Sequence, residues 1–285
     1  MKNVTVIGLG VMGAALARVL LKNGFDVTAW NRSREKAEPL KNEGATIANS
    51  FAEAISVNAT IIVCIKTHTD TKSLLETAPS LEGKNIIELS TGSAPEAESL
   101  YQWLRKEQAT CLIGMICTFP RAIGEEDSTI LTVGSAALWK RSKETIKILA
   151  GKSTYLGTQV SSLAILYSAL FLPRQGFMFG MIYGALLCKK AGVSMEDYVE
   201  QIPLTIKVVN DYYDVFASSV LSGDFENPQA SVNTYVAAFK DTLDSFHENG
   251  VNDELPMLMS KLVNLGADAG LGDKQLTSLI NLLSK

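Results

Sequence analysis

Short apolar runs alternate with segments of helical periodicity through the first half of the chain. Asn3 to Gly8 reads as a strand, Val11 to Asn23 as a helix with Ala15, Val19 and Leu20 inward, and Phe25 to Trp30 as a second strand. Arg34 to Asn42 carries a helical pattern. Ala59 to Ile65 and Asn85 to Leu89 are near-continuous apolar runs, as expected of strands buried on both faces. Ala94 to Gln108 is helical, and Ala109 to Cys117, Thr129 to Val133 and Thr154 to Leu156 extend the sheet. Strands separated by helices predict an α/β domain whose parallel sheet is covered on both faces.

After residue 158 the strand patterns stop. Leu163 to Ala191 reads as one long helix bent at Pro173, because proline lacks the amide donor and crowds the preceding turn. Further helices are predicted over Met195 to Gln201, Leu204 to Leu221, Ala230 to Asn249, Leu255 to Ala267 and Gly272 to Leu283, with Gly250 and Gly270 placed to stop two of them. The helices that follow are too few to cover the long apolar one. It is expected to lie against a copy of itself, in a homodimer with a largely hydrophobic interface.

Composition narrows the function classes. At 285 residues, 47% apolar and 20% charged, the chain is globular, and two domains are expected. Thirty acids against 26 bases, with no basic cluster, argue against nucleic acid as a partner. Cys64, Cys111, Cys117 and Cys188 form no CxxC pair and read as reduced thiols in the cytoplasm. His68 and His247 are too few and too scattered for a histidine metal site, so no metal is expected. No targeting segment is recognisable. Leu163 to Cys188 is long enough to span a bilayer, but Pro173, Arg174 and Gln175 stand at its centre. An arginine there costs roughly 2.5–3.5 kcal/mol or more in lipid. A helix buried by protein is the expected alternative, and no membrane partner is expected.

Gly8-Leu9-Gly10-Val11-Met12-Gly13 fits GxGxxG, follows a strand and opens a helix. That context makes the pattern a dinucleotide fingerprint and the first domain a Rossmann domain. Gly8 permits the tight turn, Gly10 lets backbone approach the diphosphate, Gly13 permits close helix–strand packing, and the helix N-terminus offers free amides. The second strand ends at Asn31-Arg32-Ser33, with Arg34 and Lys36 following. An NAD-preferring site would place a carboxylate there. A carboxylate repels a 2′-phosphate, whereas a guanidinium, a hydroxyl and an ammonium bind it, so NADPH is the expected cofactor. Arg32 and Ser33 are the sharper candidates, with Asn31 and Lys36 beside them and Arg34 read as a solvated charge. Cys64, Ile65 and Thr91 complete the expected cofactor contacts.

GLGVMG, WNRSREKAEPL and ELSTGSAPEAESL together resemble the β-hydroxyacid dehydrogenase superfamily. Ser90 to Ser93 and the segment Leu163 to Val193 resemble its imine reductase branch most closely. The resemblance covers nearly the whole chain. It implies an α/β Rossmann domain (1–158), a long interdomain helix (159–192) and an all-α C-terminal dimerisation bundle (193–285). It also implies an active site shared between one subunit's cofactor domain and the other's bundle. By alignment on Gly180, Tyr183 and Ala191 to Val193, Tyr167 falls at the family's proton-donor position, commonly Asp and in a subset Tyr. Eight residues on, the family often has a second tyrosine; here stands Gln175. Thr91 matches a polar position that orients substrate and nicotinamide.

The chemistry is consistent with that resemblance. Ketone and alcohol chemistry in the superfamily relies on a lysine near the start of the long helix, and Gln159 to Tyr183 contains none. An iminium carbon is already electrophilic and needs only hydride alignment and a proton source. Tyr167, Phe171, Arg174, Gln175 and Met178 recur at helical spacing and form one candidate substrate face. Tyr167 can equally be a core tyrosine. Arg174 needs a partner, either an acid across the dimer or a substrate carboxylate. Met115, Cys117 and Phe119 follow a strand and are candidate pocket residues, or simply core. The expected activity is NADPH-dependent reduction of a small, cyclic imine. Two other readings are a β-hydroxyacid dehydrogenase-like enzyme anchored by Arg174 and a non-catalytic NADPH-binding protein.

Overall fold

The computed structural model describes residues 2–284. Its first compact unit runs up to Phe171 and the second starts at Leu172, so the division falls within one helix. The first unit is built on an eight-stranded sheet in the order β3-β2-β1-β4-β5-β6-β7-β8. The strands are β1 (Asn3–Ile7), β2 (Asp26–Trp30), β3 (Thr46–Ile47), β4 (Thr60–Val63), β5 (Asn85–Glu88), β6 (Thr110–Ile116), β7 (Ile130–Gly134) and β8 (Thr154–Tyr155). Between them lie α1 (Val11–Lys22), α2 (Glu38–Asn42), α3 (Phe51–Val57), α4 (His68–Leu75), α5 (Ala94–Lys106) and α6 (Ala136–Leu149).

The apolar runs are strands because both sheet faces are covered. Val4 and Val6 enter one core cluster and Ile7 the other; Ile62 enters the first, Ile61 and Val63 the second. This is the two-residue alternation of strand side chains, with each face packed under helices. α1 and α6 cover the first face through Leu16, Ala17, Leu20, Leu138 and Ile146. α5 covers the second through Ala97, Leu100 and Leu104. The buried stripe of α1 centres on Leu16, Ala17 and Leu20; Ala15 and Val19, expected inward, sit half-buried at its margin.

Several expectations need correction. The sheet is not wholly parallel, since β7 runs antiparallel to β6. The connection between them holds only a 3-10 turn at Pro120–Ala122, and without a crossover helix the chain returns antiparallel. Arg34–Lys36 is a 3-10 turn ahead of the short α2 rather than the start of one helix. The apolar pattern does not predict α3, α4 or α6. Yet Ser50, Thr67 and Ser135 each cap one of them by accepting from the backbone amide three residues on, a signal present in the sequence.

α7 (Val160–Ala191) runs through Pro173 for 32 residues. Its first turns belong to the first unit, where Val160 and Leu163 are buried and Tyr167 packs against the same cluster. Within the single chain much of α7 is uncovered, as expected of a helix that the downstream helices are too few to cover. Ile165 is 65% exposed, and by length and composition α7 could cross a membrane. In the second unit α8 (Met195–Ser222) continues through Pro203, where a break was expected, because one missing amide bond does not end a helix whose other bonds persist. α9 (Val232–Glu248) and α10 (Glu254–Gly266) form a packed pair. The last predicted helix is instead a 3-10 turn (Leu276–Ser278) and the short α11 (Leu279–Leu283).

Candidate active site

The strand order places β1 beside β4, with β2 and β3 on one side and β5 onward on the other. Ligands of such sheets bind outside the carboxyl ends of the strands at this switch point. The glycines of the β1–α1 turn have distinct roles there. Gly8 has φ of +89°, and a Cβ on it would lie 2.3 Å from the Cys64 carbonyl oxygen. A Cβ on Gly13 would lie 1.8 Å from the Gly8 carbonyl oxygen. Nothing stands within 4 Å of a Cβ on Gly10. Gly8 and Gly13 are therefore demanded by protein packing, and Gly10 leaves open space beside the backbone.

Gly10 is also the N-cap of α1, so no side chain caps the first turn, and no acid lies in it. Uncapped amides with a helix dipole behind them suit a diphosphate. Val11, in that turn, is 80% exposed. The second wall is held by Asn31. Its Oδ1 accepts from the Leu9 amide at 2.9 Å, and its Nδ2 donates to the Ser33 carbonyl at 2.9 Å. Beyond it, Trp30, Asn31, Arg32 and Arg34 line a groove with Asn49, Ser50 and Phe51. Arg34 pairs with Glu38 and donates to Asn49 Oδ1. Ser33, half-buried, and Lys36, exposed, both lie outside this lining. Asn49 and Phe51 carry no signal in the sequence because they follow β3, a two-residue strand too short for a period to show, and Ser50 shows only as a helix cap.

A separate cavity of about 240 Å³ opens at the ends of β4, β5 and β6. Met12, Cys64, Ile65, Thr91, Met115 and Tyr167, widely spaced in sequence, all line it. Tyr167 is half-buried and stacks on Phe171, ring centroids 4.3 Å apart, as expected for residues one turn apart on a helix. Thr91 donates to the Lys66 carbonyl at 3.1 Å. Cys117 and Phe119 lie outside the lining; Phe119 is 64% exposed under Arg121. Arg174, Gln175 and Met178 follow on α7 in the second unit, exposed in the single chain.

Sequence patterns single out neither His68 nor Glu88 as a site residue, and mark Ser90 only as part of a family motif. His68 and Ser90 line the cavity, and Glu88 lies behind them, wholly buried. Glu88 Oε1 meets His68 Nδ1 at 3.0 Å and accepts from Thr71 Oγ1 at 3.1 Å and the Ser90 amide at 3.2 Å. Ser90 Oγ accepts from the Ile65 amide, joining the ends of β4 and β5. Burial and the nearby Glu88 carboxylate push the Cys64 thiol up to about 12, and the same causes raise Cys111. Both shifts disfavour the thiolate, the form that a nucleophile at Cys64 or Cys111 would need. Among the described residues no cluster of ligating side chains suits a metal ion.

Known proteins match this architecture along its full length. The NAD binding domain of 6-phosphogluconate dehydrogenase matches residues 3–157, and the C-terminal domain of NADPH-dependent reductive aminase-like proteins matches residues 162–285. An NADPH-dependent reductive aminase from Aspergillus oryzae is 26% identical, over 98% of this chain and 96% of its own. An imine reductase from a Pseudomonas species superposes with a TM-score of 0.92 at 29% identity, covering 99% of each chain. One from Myxococcus stipitatus, solved with NADP+, gives 0.93 at 27% identity, again covering 99% of each chain. The chain belongs to the family built on the 6-phosphogluconate dehydrogenase type of NAD-binding domain, in its branch of imine reductases and reductive aminases.

Proposed function

We propose that the protein reduces the C=N bond of a small, cyclic imine to an amine with NADPH, and that Tyr167 gives the nitrogen its proton or hydrogen bond. When bound, the reduced nicotinamide supplies the hydride. The uncapped turn at Gly10 to Gly13 takes the diphosphate, and the groove with Arg32, Arg34 and Asn49 takes the 2′-phosphate end, with Ser33 next to Arg32 in sequence as a further donor. Thr91, on the cavity wall, orients the reacting groups.

The observation that carries this reading is the placement of Tyr167. A phenol, whose O–H can donate, stands on the wall of a mostly apolar cavity with Met12 of the fingerprint turn and Thr91. None of the residues lining that cavity is a lysine. The site thus holds a proton source without the group that would polarise a ketone. The test follows NADPH absorbance with a cyclic imine. Tyr167→Phe is expected to lower kcat by about 10²-fold or more with little change in NADPH binding. Turnover at the wild-type rate removes Tyr167 from the donor role.

The same reading includes a homodimer. Leu172, Phe179 and Ile182 on α7 and Leu204, Val208 and Val209 on α8 are all at least half exposed. A second copy covering them is the arrangement proposed, with residues 1–158 binding cofactor, 159–192 connecting and 193–285 dimerising. Arg174, Gln175 and Met178 then face the partner or the shared site. Sedimentation at micromolar protein is expected to give twice the chain mass; a monomer contradicts it. None of the four cysteines is in a disulfide, which supports a reducing compartment such as the cytoplasm.

A further inference from the structure

Reduction of a neutral imine consumes one proton per turnover, so a phenol that gives its proton must be recharged before the next cycle. The structure holds a titratable pair placed for that task. His68 opens α4 and is only 4% exposed, yet the residue lines two separate spaces. One is the cavity shared with Tyr167. The other is an outer groove lined also by Lys72, Glu76 and Glu96. His68 is thus part of the wall between the reaction space and a charged surface groove.

Its orientation is fixed from both sides. Nδ1 is held by Glu88 Oε1 at 3.0 Å, which leaves Nε2 as the nitrogen able to take or give a proton elsewhere. A Cβ on Gly92 would lie 2.5 Å from His68 Cδ2, so the glycine of the Ser-Thr-Gly turn is what admits the ring. The His68 amide also donates to the Thr91 carbonyl at 3.0 Å. Glu88 is unusual for a structural residue. Its Oε1 serves three contacts while its Oε2, buried, has no partner. Burying a carboxylate with one oxygen bare is costly, and a glutamine would serve a purely structural role with less penalty. A carboxylate is warranted where the neighbouring imidazole must carry charge.

We infer that His68, oriented by Glu88, relays protons from the outer groove into the reaction cavity and recharges Tyr167, a role that rests on the proposed imine reduction. Tyr167 O–H breaks as the proton passes to the substrate nitrogen, leaving a phenolate. The His68 Nε2–H proton passes to that oxygen, directly or through a water. The neutral imidazole then takes a proton from solvent in the outer groove. No electrons move in these steps. Glu88 is a positioning residue: it fixes which nitrogen works and balances the imidazolium. The other ionisable groups that share its two spaces are Cys64 and Tyr167 in the cavity, and Lys72, Glu76 and Glu96 in the outer groove.

The test compares wild type, His68→Ala and Glu88→Gln in NADPH-dependent reduction of a cyclic imine from about pH 6 to about pH 9, with NADPH affinity read by fluorescence. The expected result for His68→Ala is a kcat loss of about 10- to 100-fold that narrows as pH rises, because the relay needs an imidazolium. NADPH affinity should be unchanged, and added imidazole should restore turnover. Glu88→Gln is expected to keep NADPH affinity and to shift the pH profile. His68→Asn, which preserves a donor towards Glu88, replaces His68→Ala should the latter not fold, and the same change in pH profile is expected of it. A wild-type pH profile in the His68 variant, or a loss that imidazole does not rescue in His68→Ala, overturns the relay while leaving imine reduction standing. A wild type that turns over no imine overturns both.

Discussion

The Leu9 amide donates to Asn31 Oδ1, and the amide end of the same side chain donates to the Ser33 carbonyl, both at 2.9 Å. One neutral residue thereby braces the fingerprint turn against the loop that follows β2. An aspartate can accept from Leu9 but cannot donate to Ser33, and it adds a charge where NADPH brings its 2′-phosphate.

Asn31→Asp is therefore expected to lower kcat/KM for NADPH by about 10- to 100-fold, the worth of roughly 1.5–3 kcal/mol in charged hydrogen bonds, and to lower that for NADH much less. Steady-state kinetics with both cofactors checks it. Equal losses with the two would mean that Asn31 acts only as a brace.

The two outer glycines of the turn and the middle one are expected to fail differently. A Cβ on Gly13 meets the Gly8 carbonyl at 1.8 Å, a backbone atom that cannot yield without moving β1, so Gly13→Ala should lower Tm sharply or abolish folding. Gly10→Ala meets no protein atom within 4 Å. Its loss of stability should not exceed about 1 kcal/mol, the cost of a poorer N-cap, while NADPH affinity falls at least tenfold. Thermal melts with and without NADPH separate the two.

Glu96 closes the capping box of α5, accepting from the Ser93 amide at 2.7 Å, from Ser93 Oγ at 2.9 Å and from Thr69 Oγ1 at 2.7 Å. The Ser93 amide bond first, then the two hydroxyls, hold its carboxyl down at about 2. A carboxylate depressed in the folded state stabilises above its unfolded range and loses that contribution as pH falls through the folded value. Glu96→Gln should thus be less stable at pH 7 by about 0.3–1 kcal/mol, as for an exposed charge at a helix N-terminus. The difference should shrink steadily from about pH 4.5 to about pH 2. A deficit independent of pH would show that shape rather than charge matters.

The elements that the sequence revealed are those whose cause is local. β1, β4 and β5 show as apolar runs because both of their faces are covered, and α5 announces itself through Ser93 and Glu96. The capping signals at Ser50, Thr67 and Ser135 are equally present, but α3 and α4 are short, and in α6 the buried stripe is interrupted by Ser142 and Thr145. Tyr167 is reachable through resemblance and helical spacing. His68 is not, because nothing near it in sequence hints at a carboxylate twenty positions later.

The chain's own order of residues determined the fingerprint turn, the neutral, basic end of β2 and the succession of a sheet domain, a long apolar helix and a helical remainder. These depend on backbone conformations and periodicities that a few neighbouring residues set. Only the tertiary structure decided that β7 returns antiparallel, that α7 keeps an exposed apolar surface, and that His68 and Glu88 meet between two cavities. Those outcomes depend on which strands pair and in what register. Pairing is chosen by the burial of whole faces at once, so no single stretch of sequence contains it.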